Sequence, residues 1–131
     1  MNKEVVSYEQ SILIKELGFD EPCYGFYTST GRYVNNYNDL DVTYSYLAPL
    51  KQQVLRWFRD NGYRFTIYFD ITEPGRYMFD VFKRDEEKNW WQFNYESRLD
   101  YETYEDVENA CIDKLIELTK NKNNEPEGTG N

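Results

Sequence analysis

The chain of 131 residues contains no histidine. Histidine is the side chain whose ordinary pKa lets it change charge near neutral pH, and it is the commonest metal ligand in proteins. Its absence argues against histidine-dependent catalytic triads, histidine zinc sites and imidazole proton shuttles. The chain also lacks a glycine-rich phosphate-binding loop. We therefore expect no cofactor, no resident metal and no enzymatic activity.

Cysteine and long apolar runs are scarce as well. Cys23 and Cys111 lie far apart and form no CxxC pair, which favours reduced thiols in a cytoplasmic protein. No apolar run approaches the roughly 18 residues of a membrane span, and the first ten residues lack the apolar core of a secretory signal. The sequence predicts a cytoplasmic protein with no membrane partner.

Acidic and aromatic residues are what the chain has in excess. It carries 24 Asp and Glu against 15 Lys and Arg, together with 3 Trp, 13 Tyr and 8 Phe. The densest acidic stretch runs from Glu96 to Glu108. Such a surface repels phosphate, so direct nucleic-acid binding is not expected. Tyrosine and tryptophan offer large contacts with a polar tip, which is typical of protein recognition surfaces.

Three helices are indicated by caps and apolar spacing. Ser7 and Gln10 have the spacing of a capping box, and Gly18 is a suitable end for that first helix. The second helix lies between Pro49 and Gly62. The third begins after Thr103 as N-cap, with apolar residues on one stripe: Val107, Ala110, Cys111, Ile112, Leu115, Ile116 and Leu118.

Between the last two helices the apolar period changes to two, which predicts a three-strand meander. The strands are expected at 65–71, 77–83 and 90–96, with a turn at Pro74-Gly75. Pairing Ile71 with Tyr77 sets Phe69 against Phe79 and Ile67 against Val81, so that one face is apolar. Trp91, Phe93 and Tyr95 are expected to extend that face.

The predicted fold class is α+β, with a three- to four-stranded antiparallel sheet and helices packed on one face. The order is helix, irregular segment, helix, three-strand meander, helix. Residues 19–47 form the irregular segment, with a short strand near Tyr24–Thr28. We expect one domain over residues 1–120 and a disordered polar tail over 121–131, which has no apolar residue.

The candidate binding residues lie on the reverse face of the meander and in the acidic stretch. The aromatic set is Tyr68, Met78, Phe82 and Trp90, and the acidic set is Glu102, Glu105, Asp106 and Glu108. Aromatic residues and methionine are enriched where partners dock. The alternative is that the first helix and residues 19–47 cover this face as core, and that the carboxylates are merely solvated. An adjoining surface is expected from Tyr24, Phe26, Tyr27, Tyr33, Tyr37, Tyr44 and Tyr46.

Other reactive patterns have plainer explanations. Cys23 lacks a histidine base, which favours a small buried thiol over a nucleophile. Asp39-x-Asp41 offers oxygen ligands but lacks the glycine and distal glutamate of a calcium loop, so a polar turn is favoured. Asp70 and Asp80 are the only carboxylates that the meander brings towards one another, and solvated strand residues explain them equally well.

Residues 48–120 resemble double-stranded-RNA-binding domains in element order only. That family grips phosphates with lysines at the start of its last helix, where this chain has Thr103-Tyr104-Glu105-Asp106. The acidic replacement argues against that mode of binding.

Three strings are distributed along the chain before its tail: GFDEPCYGFY (Gly18–Tyr27), APLKQQVLRWFR (Ala48–Arg59) and TYEDVENACIDKLIEL (Thr103–Leu118). They resemble segments of small uncharacterised proteins recurrent in phages and mobile elements of gut bacteria. The resemblance implies a cytoplasmic accessory protein and carries over no activity or site residue.

Three functions remain open at this point. The leading hypothesis is a non-catalytic protein-interaction module that binds a protein partner. Because its surface is acidic, a basic partner is favoured. The alternative is an acidic nucleic-acid mimic that inhibits a host DNA-binding enzyme. A small enzyme of unknown class is the third.

Overall fold

The computed structural model describes residues 4–35, 44–72, 76–85, 87, 90–96 and 101–123, and it confirms the α+β class. Its elements are α1 (Tyr8–Glu16), β1 (Gly25–Thr28), β2 (Tyr33–Val34), β3 (Tyr44–Ala48), α2 (Lys51–Asp60), β4 (Tyr63–Asp70), β5 (Arg76–Asp85), β6 (Trp90–Glu96) and α3 (Tyr104–Asn123). The strands make two antiparallel sheets, ordered β2-β1-β3 and β4-β5-β6. None of the helices in the described ranges is both long and apolar enough to cross a membrane.

The chain divides into two compact units, and each is described by itself. The N-terminal unit comprises residues 1–53 and 116–131, and the meander unit comprises residues 54–115. The boundaries between them fall within α2 and within α3. Whether the chain behaves as one domain over residues 1–120 stays a prediction.

In the N-terminal unit, α1 begins and ends at the predicted residues. The Gln10 amide donates to Ser7 Oγ over 3.1 Å, and the Ser7 amide donates to Gln10 Oε1 over 2.9 Å. This reciprocal pair is the predicted capping box. Gly18 ends the helix with a φ of 101°, a left-handed conformation that glycine adopts without strain.

Residues 19–47 contain more regular structure than the sequence indicated. The strand expected near Tyr24–Thr28 is β1, and it is the central strand of a sheet with β2 and β3 on either side. These strands are two to five residues long, too short for a visible apolar period. Just after β3, Leu50 makes an isolated bridge with Val5 of the N-terminal segment, and the Val6 amide donates to the Pro49 carbonyl.

The tyrosine surface expected from residues 24–46 is only partly present. Phe26 and Tyr27 are fully buried, and the Tyr27 hydroxyl donates to the carbonyl of Val6. The ring of Tyr27 makes edge-to-face contacts with Tyr8 and Tyr33. Phe26 and Tyr27 therefore belong to the core, whereas Tyr24 is exposed. Tyr37 and the side chain of Tyr44 fall outside the described part of the chain.

In the meander unit, β4 and β5 pair with the predicted faces but in a different register. The structure pairs Phe69 with Tyr77, Ile67 with Phe79 and Phe65 with Val81. The predicted pairing was therefore wrong by two residues. A shift of two preserves the alternation of faces, so the apolar pattern does not distinguish the two registers. The turn distinguishes the two registers, because β4 ends at Asp70. The Asp70 carboxylate accepts hydrogen bonds from the amide and the hydroxyl of Thr72.

The third strand departs from the prediction at a bulge. Tyr95 is paired with Val81 as an extension of the first face would require, but the register then shifts between Val81 and Phe82. Beyond the shift, Phe93 is paired with Phe82 and Trp91 with Arg84. The extra residue of a bulge changes which face the following residues belong to. The three β6 aromatics therefore do not share the register positions of one face.

The predicted cap of α3 is confirmed, and so is its predicted stripe, except that Ala110 and Leu118 are half-buried. The Asp106 amide donates to Thr103 Oγ1 over 3.1 Å, and Val107, Cys111, Ile112 and Leu115 are buried. The helix runs to Asn123, so it includes the first three residues of the expected tail. Residues 124–131, which make up the rest of that tail, lie outside the described residues.

Candidate docking surface in the meander unit

One face of the β4-β5 pair, which we call the first face, changes from buried to exposed along its length. It is formed by the pairs Phe65–Val81, Ile67–Phe79 and Phe69–Tyr77. Val81 and Phe79 are at most 1% exposed and Tyr63 is 3% exposed, so this end of the face is core. Towards the turn, the same face holds Phe69, which is 47% exposed. Ile71 follows at the turn and is 83% exposed. One continuous apolar face is thus covered at one end and open at the other.

Three aromatic rings meet at the open end. Phe69 contacts Tyr77 edge to face with ring centroids 5.1 Å apart, and Tyr77 contacts Tyr104 in the same manner at 6.0 Å. Tyr104 is the first residue of α3 and is 43% exposed. Edge-to-face contacts hold neighbouring rings in fixed relative orientations. We call Phe69, Ile71, Tyr77 and Tyr104 the aromatic patch.

The backbone next to the patch is fixed by a short antiparallel bridge. The Tyr77 amide donates to the Tyr101 carbonyl over 2.7 Å, and the Tyr101 amide donates to the Tyr77 carbonyl over 2.9 Å. Tyr101 also packs its ring near Phe79, with centroids 6.2 Å apart. This bridge connects the patch strand β5 to the residues just before α3, and so it positions Tyr104 and its acidic neighbours.

Three exposed carboxylates flank Tyr104 in the chain. Glu102, Glu105 and Asp106 are all exposed, and we call them the acidic rim. Glu102 Oε1 lies 3.9 Å from Arg76 Nη1, which places this carboxylate beside the strand that carries Tyr77. Because both partners are largely exposed, this ion pair contributes little to stability. Acidic side chains in the first turn of α3 also interact favourably with the positive end of its dipole.

The predicted aromatic site lies on the second face of the same sheet. Tyr68 and Met78 are directly paired across β4 and β5, so the structure brings these two together. Phe82 is paired with Arg64, four residues further along β5. All three side chains are half-buried rather than open. Trp90 begins β6 opposite Asp85, and its side chain lies outside the described part of the structure.

The predicted acidic site keeps three of its four members. Glu102, Glu105 and Asp106 form the acidic rim, but Glu108 is only 6% exposed. It lies on the buried stripe of α3 with Cys111 and Ile112, because residues three and four apart share a helix face. Glu108 therefore does not belong to a docking surface.

Sequence reasoning missed the residues of the aromatic patch. It placed Phe69 and Tyr77 on the core face and Ile71 in a strand, where burial was expected for each. One signal was present in the sequence. Ile71 stands next to Thr72 and close to Pro74-Gly75, and a large apolar residue so near a turn has little to pack against.

The other chemical candidates in the described part of the chain are the two cysteines. Both cysteines are free thiols. Burial, helped by the Glu21 carboxylate, raises the pKa of the Cys23 thiol to about 11, which opposes formation of a nucleophilic thiolate. Burial and Glu108 raise the pKa of Cys111 to about 12. Within the described ranges, no group of three or more acidic or cysteine side chains could hold a metal ion. Asp39 and Asp41 fall outside those ranges.

Comparison with known proteins adds no family. No family model matches the chain, and no significant match is found among curated proteins or solved structures. The geometry of the aromatic patch and the acidic rim is therefore the basis for assigning a function.

Proposed function

We propose that this chain is a non-catalytic protein-interaction module that docks a basic, partly apolar segment of a partner protein. The docking surface is the aromatic patch with its acidic rim. The observation that carries the proposal is the open end of an apolar face whose other end is core. There the Tyr77 ring contacts both Phe69 and Tyr104, and three exposed carboxylates flank Tyr104 in the chain.

The arrangement matches the general anatomy of a protein interface. Such interfaces have an apolar centre rich in aromatic residues, surrounded by a polar rim. Tyrosine and phenylalanine supply large contact areas while losing little conformational entropy, especially when neighbouring rings already hold them. Half of Phe69 is in water although it lies in a strand whose other end is core, and a partner would remove that cost.

Charge favours a basic partner over a second copy of this chain. In a symmetric dimer the same patch would face itself, so the acidic rims would be brought together. Like charges brought together at an interface oppose association. The net charge of −9 acts in the same direction. Lysine or arginine side chains beside an apolar anchor would complement the rim.

The nucleic-acid mimic is less well supported by this geometry. Mimicry needs spaced carboxylates on a surface, and the burial of Glu108 leaves three of the four predicted ones. It also gives no role to exposed aromatic rings. The resemblance to accessory proteins of phages and mobile elements suits either function, and within this proposal it suggests a cytoplasmic host or phage protein as partner.

Selection from a displayed random-peptide library tests the proposal, and it does not require the partner to be identified first. We expect enriched peptides to combine Lys or Arg with aliphatic or aromatic residues, and their affinity to fall as salt rises. The double variant Phe69→Ser/Tyr104→Ser should weaken their binding at least about tenfold, since central aromatic residues dominate interface energies. The matched control is Tyr68→Ser/Met78→Ser on the second face, which should bind normally if it remains folded by circular dichroism.

A third variant separates the two functional hypotheses. Replacing the rim with Glu102→Gln, Glu105→Gln and Asp106→Asn should weaken binding modestly and reduce its dependence on salt. Binding that survives in the folded Phe69/Tyr104 variant but is lost in the rim variant would support the mimic and overturn our proposal. Loss confined to the second-face control would return the site to the residues predicted from the sequence.

A further inference from the structure

The N-terminal unit contains a half-open cleft of about 540 Å³ that is independent of the docking surface. It lies between α1, the turn that follows α1, and β3. The apolar part of its wall comes mainly from Ile14, Phe19, Tyr46 and Leu47, and the charged residues at its wall are Lys15 and Asp20. Pockets that bind small molecules generally measure roughly 300–1,000 Å³ and combine mostly apolar walls with a few polar groups. The cleft has both properties.

The apolar floor is held rigidly by the end of α1. The Phe19 amide donates to the Ile14 carbonyl over 3.0 Å, and the Gly18 amide donates to the Lys15 carbonyl over 3.1 Å. These two bonds make a Schellman motif, in which the residues corresponding to Phe19 and Ile14 are commonly in apolar contact. Both side chains are at least 96% buried. The floor is therefore preformed.

The charge in the cleft is positioned by an aromatic ring. The Lys15 ammonium lies 4.9 Å from the centroid of the Tyr46 ring, so the cation stands against one wall. Tyr46 is itself held by an edge-to-face contact with Tyr8 at 5.8 Å. An ammonium group has three N–H donors, so an oxygen ligand can be added to the contacts that Lys15 already makes. Asp20 is exposed at the other charged position.

We propose that this cleft binds a small apolar monocarboxylate, with its hydrocarbon part against the half-buried Tyr46 and Leu47 over the Ile14–Phe19 floor, and its carboxylate at Lys15. A nucleotide is disfavoured because its phosphates would meet only one lysine at the wall, together with Asp20. A cationic amphiphile is disfavoured because its head group would meet the Lys15 ammonium. The Asp20 carboxylate limits affinity for a monoanion without contributing to the apolar floor.

Octanoate is the probe for the first test, with octanol and octylamine at the same concentrations for comparison. Titration followed by amide chemical shifts should show saturable binding of octanoate, with the largest shifts along residues 11–20 and 46–47. Octanol should bind more weakly, and octylamine should cause no saturable shifts there. Equal or tighter binding of octylamine would overturn the assignment of the ligand's charge. Absence of saturable octanoate binding would overturn the proposal.

Single charge variants test the role of Lys15. Lys15→Gln should weaken octanoate binding by about two- to fivefold, the effect of one partly exposed ion pair, while Lys15→Arg should retain most of it. Asp20→Asn should strengthen binding, because it removes a repelling charge. Lys120→Gln is the matched control, since Lys120 is exposed and does not line the cleft. An equal loss in Lys15→Gln and Lys120→Gln would show an effect of net charge only and overturn the role of Lys15. Weaker octanoate binding in Asp20→Asn would overturn the placement of the ligand carboxylate at this charged end of the cleft.

Discussion

The two units differ in the kinds of side chain that they bury. The N-terminal unit places polar groups in buried positions and satisfies them: Tyr27 donates to the Val6 carbonyl, Ser11 Oγ donates to the Tyr8 carbonyl, and Gln10 completes the α1 cap. The meander unit buries phenylalanine and branched aliphatic side chains such as Phe58, Phe79 and Val81, and the buried hydroxyl of its Tyr63 has no hydrogen-bond partner among the described residues. Abundant tyrosine in a sequence therefore does not by itself indicate a recognition surface, because a buried hydroxyl with a partner is a core group.

The units also differ in where their apolar surface is open. In the N-terminal unit the apolar wall of the cleft is concave and includes buried side chains such as Ile14 and Phe19. In the meander unit the open apolar surface is the end of a sheet face, marked by the exposure of Phe69 and Ile71. A concave surface suits a small molecule, and a more open aromatic surface suits a protein segment. This contrast is the basis for assigning the two sites different ligands.

The largest effect is expected from comparing the two ends of the meander face. Phe79→Ala should lower the free energy of unfolding by about 3–5 kcal/mol, because it removes a fully buried ring and leaves a cavity. Phe69→Ala, on the same face and nearly half exposed, should cost less than about 1.5 kcal/mol. Urea unfolding followed by circular dichroism measures both. Similar losses for the two variants would show that the face is equally covered at both ends and would remove the basis for the docking surface.

A smaller change in the free energy of unfolding is expected when one buried tyrosine in each unit is replaced by phenylalanine. Tyr27→Phe should destabilise by about 1–3 kcal/mol, because the buried carbonyl of Val6 loses its donor. The Tyr63 hydroxyl is buried without a hydrogen-bond partner among the described residues. Tyr63→Phe removes that hydroxyl and should be neutral or slightly stabilising.

The paired design of this comparison provides its own control, because both variants delete one oxygen and keep the ring. Urea unfolding under identical conditions gives the difference directly. Destabilisation of Tyr63→Phe equal to that of Tyr27→Phe would mean that the Tyr63 hydroxyl is bonded in solution. The contrast between a satisfied and an unsatisfied tyrosine would then fail.

Local features of the fold were predictable where one short-range interaction determines them. The Ser7–Gln10 box, the Thr103 cap and the glycine at the end of α1 each depend on residues within four positions, and each is confirmed. The buried stripe of α3 follows from the helical period over twenty residues. The faces of β4 and β5 were predictable in the same way, from the alternation of apolar and polar residues along each strand.

Features that depend on longer range or on short strands were not predictable. The β4-β5 register depends on where the turn at Asp70 and Thr72 begins, and the β6 bulge depends on pairing across two strands. The exposure of the aromatic patch depends on how much of the first face is covered by other residues. The alternation of residues predicts which face a side chain lies on, but not whether that part of the face is covered. Glu108 was misplaced because charge outweighed its position on the helix in the prediction.

The smallest expected effect compares the two helix caps. Ser7→Ala removes one arm of a reciprocal pair and should cost about 1 kcal/mol, and Thr103→Ala, where a single cap bond is present, should cost somewhat less. The control is Ser29→Ala in an exposed turn, which should lie within about 0.5 kcal/mol of the unmodified chain. Urea unfolding measures all three. A clearly larger loss for Thr103→Ala than for Ser7→Ala would contradict this order. It would mean that the first turn of α3 also holds the Tyr101–Tyr77 bridge and the Tyr104 ring in place, so that losing the cap disturbs both.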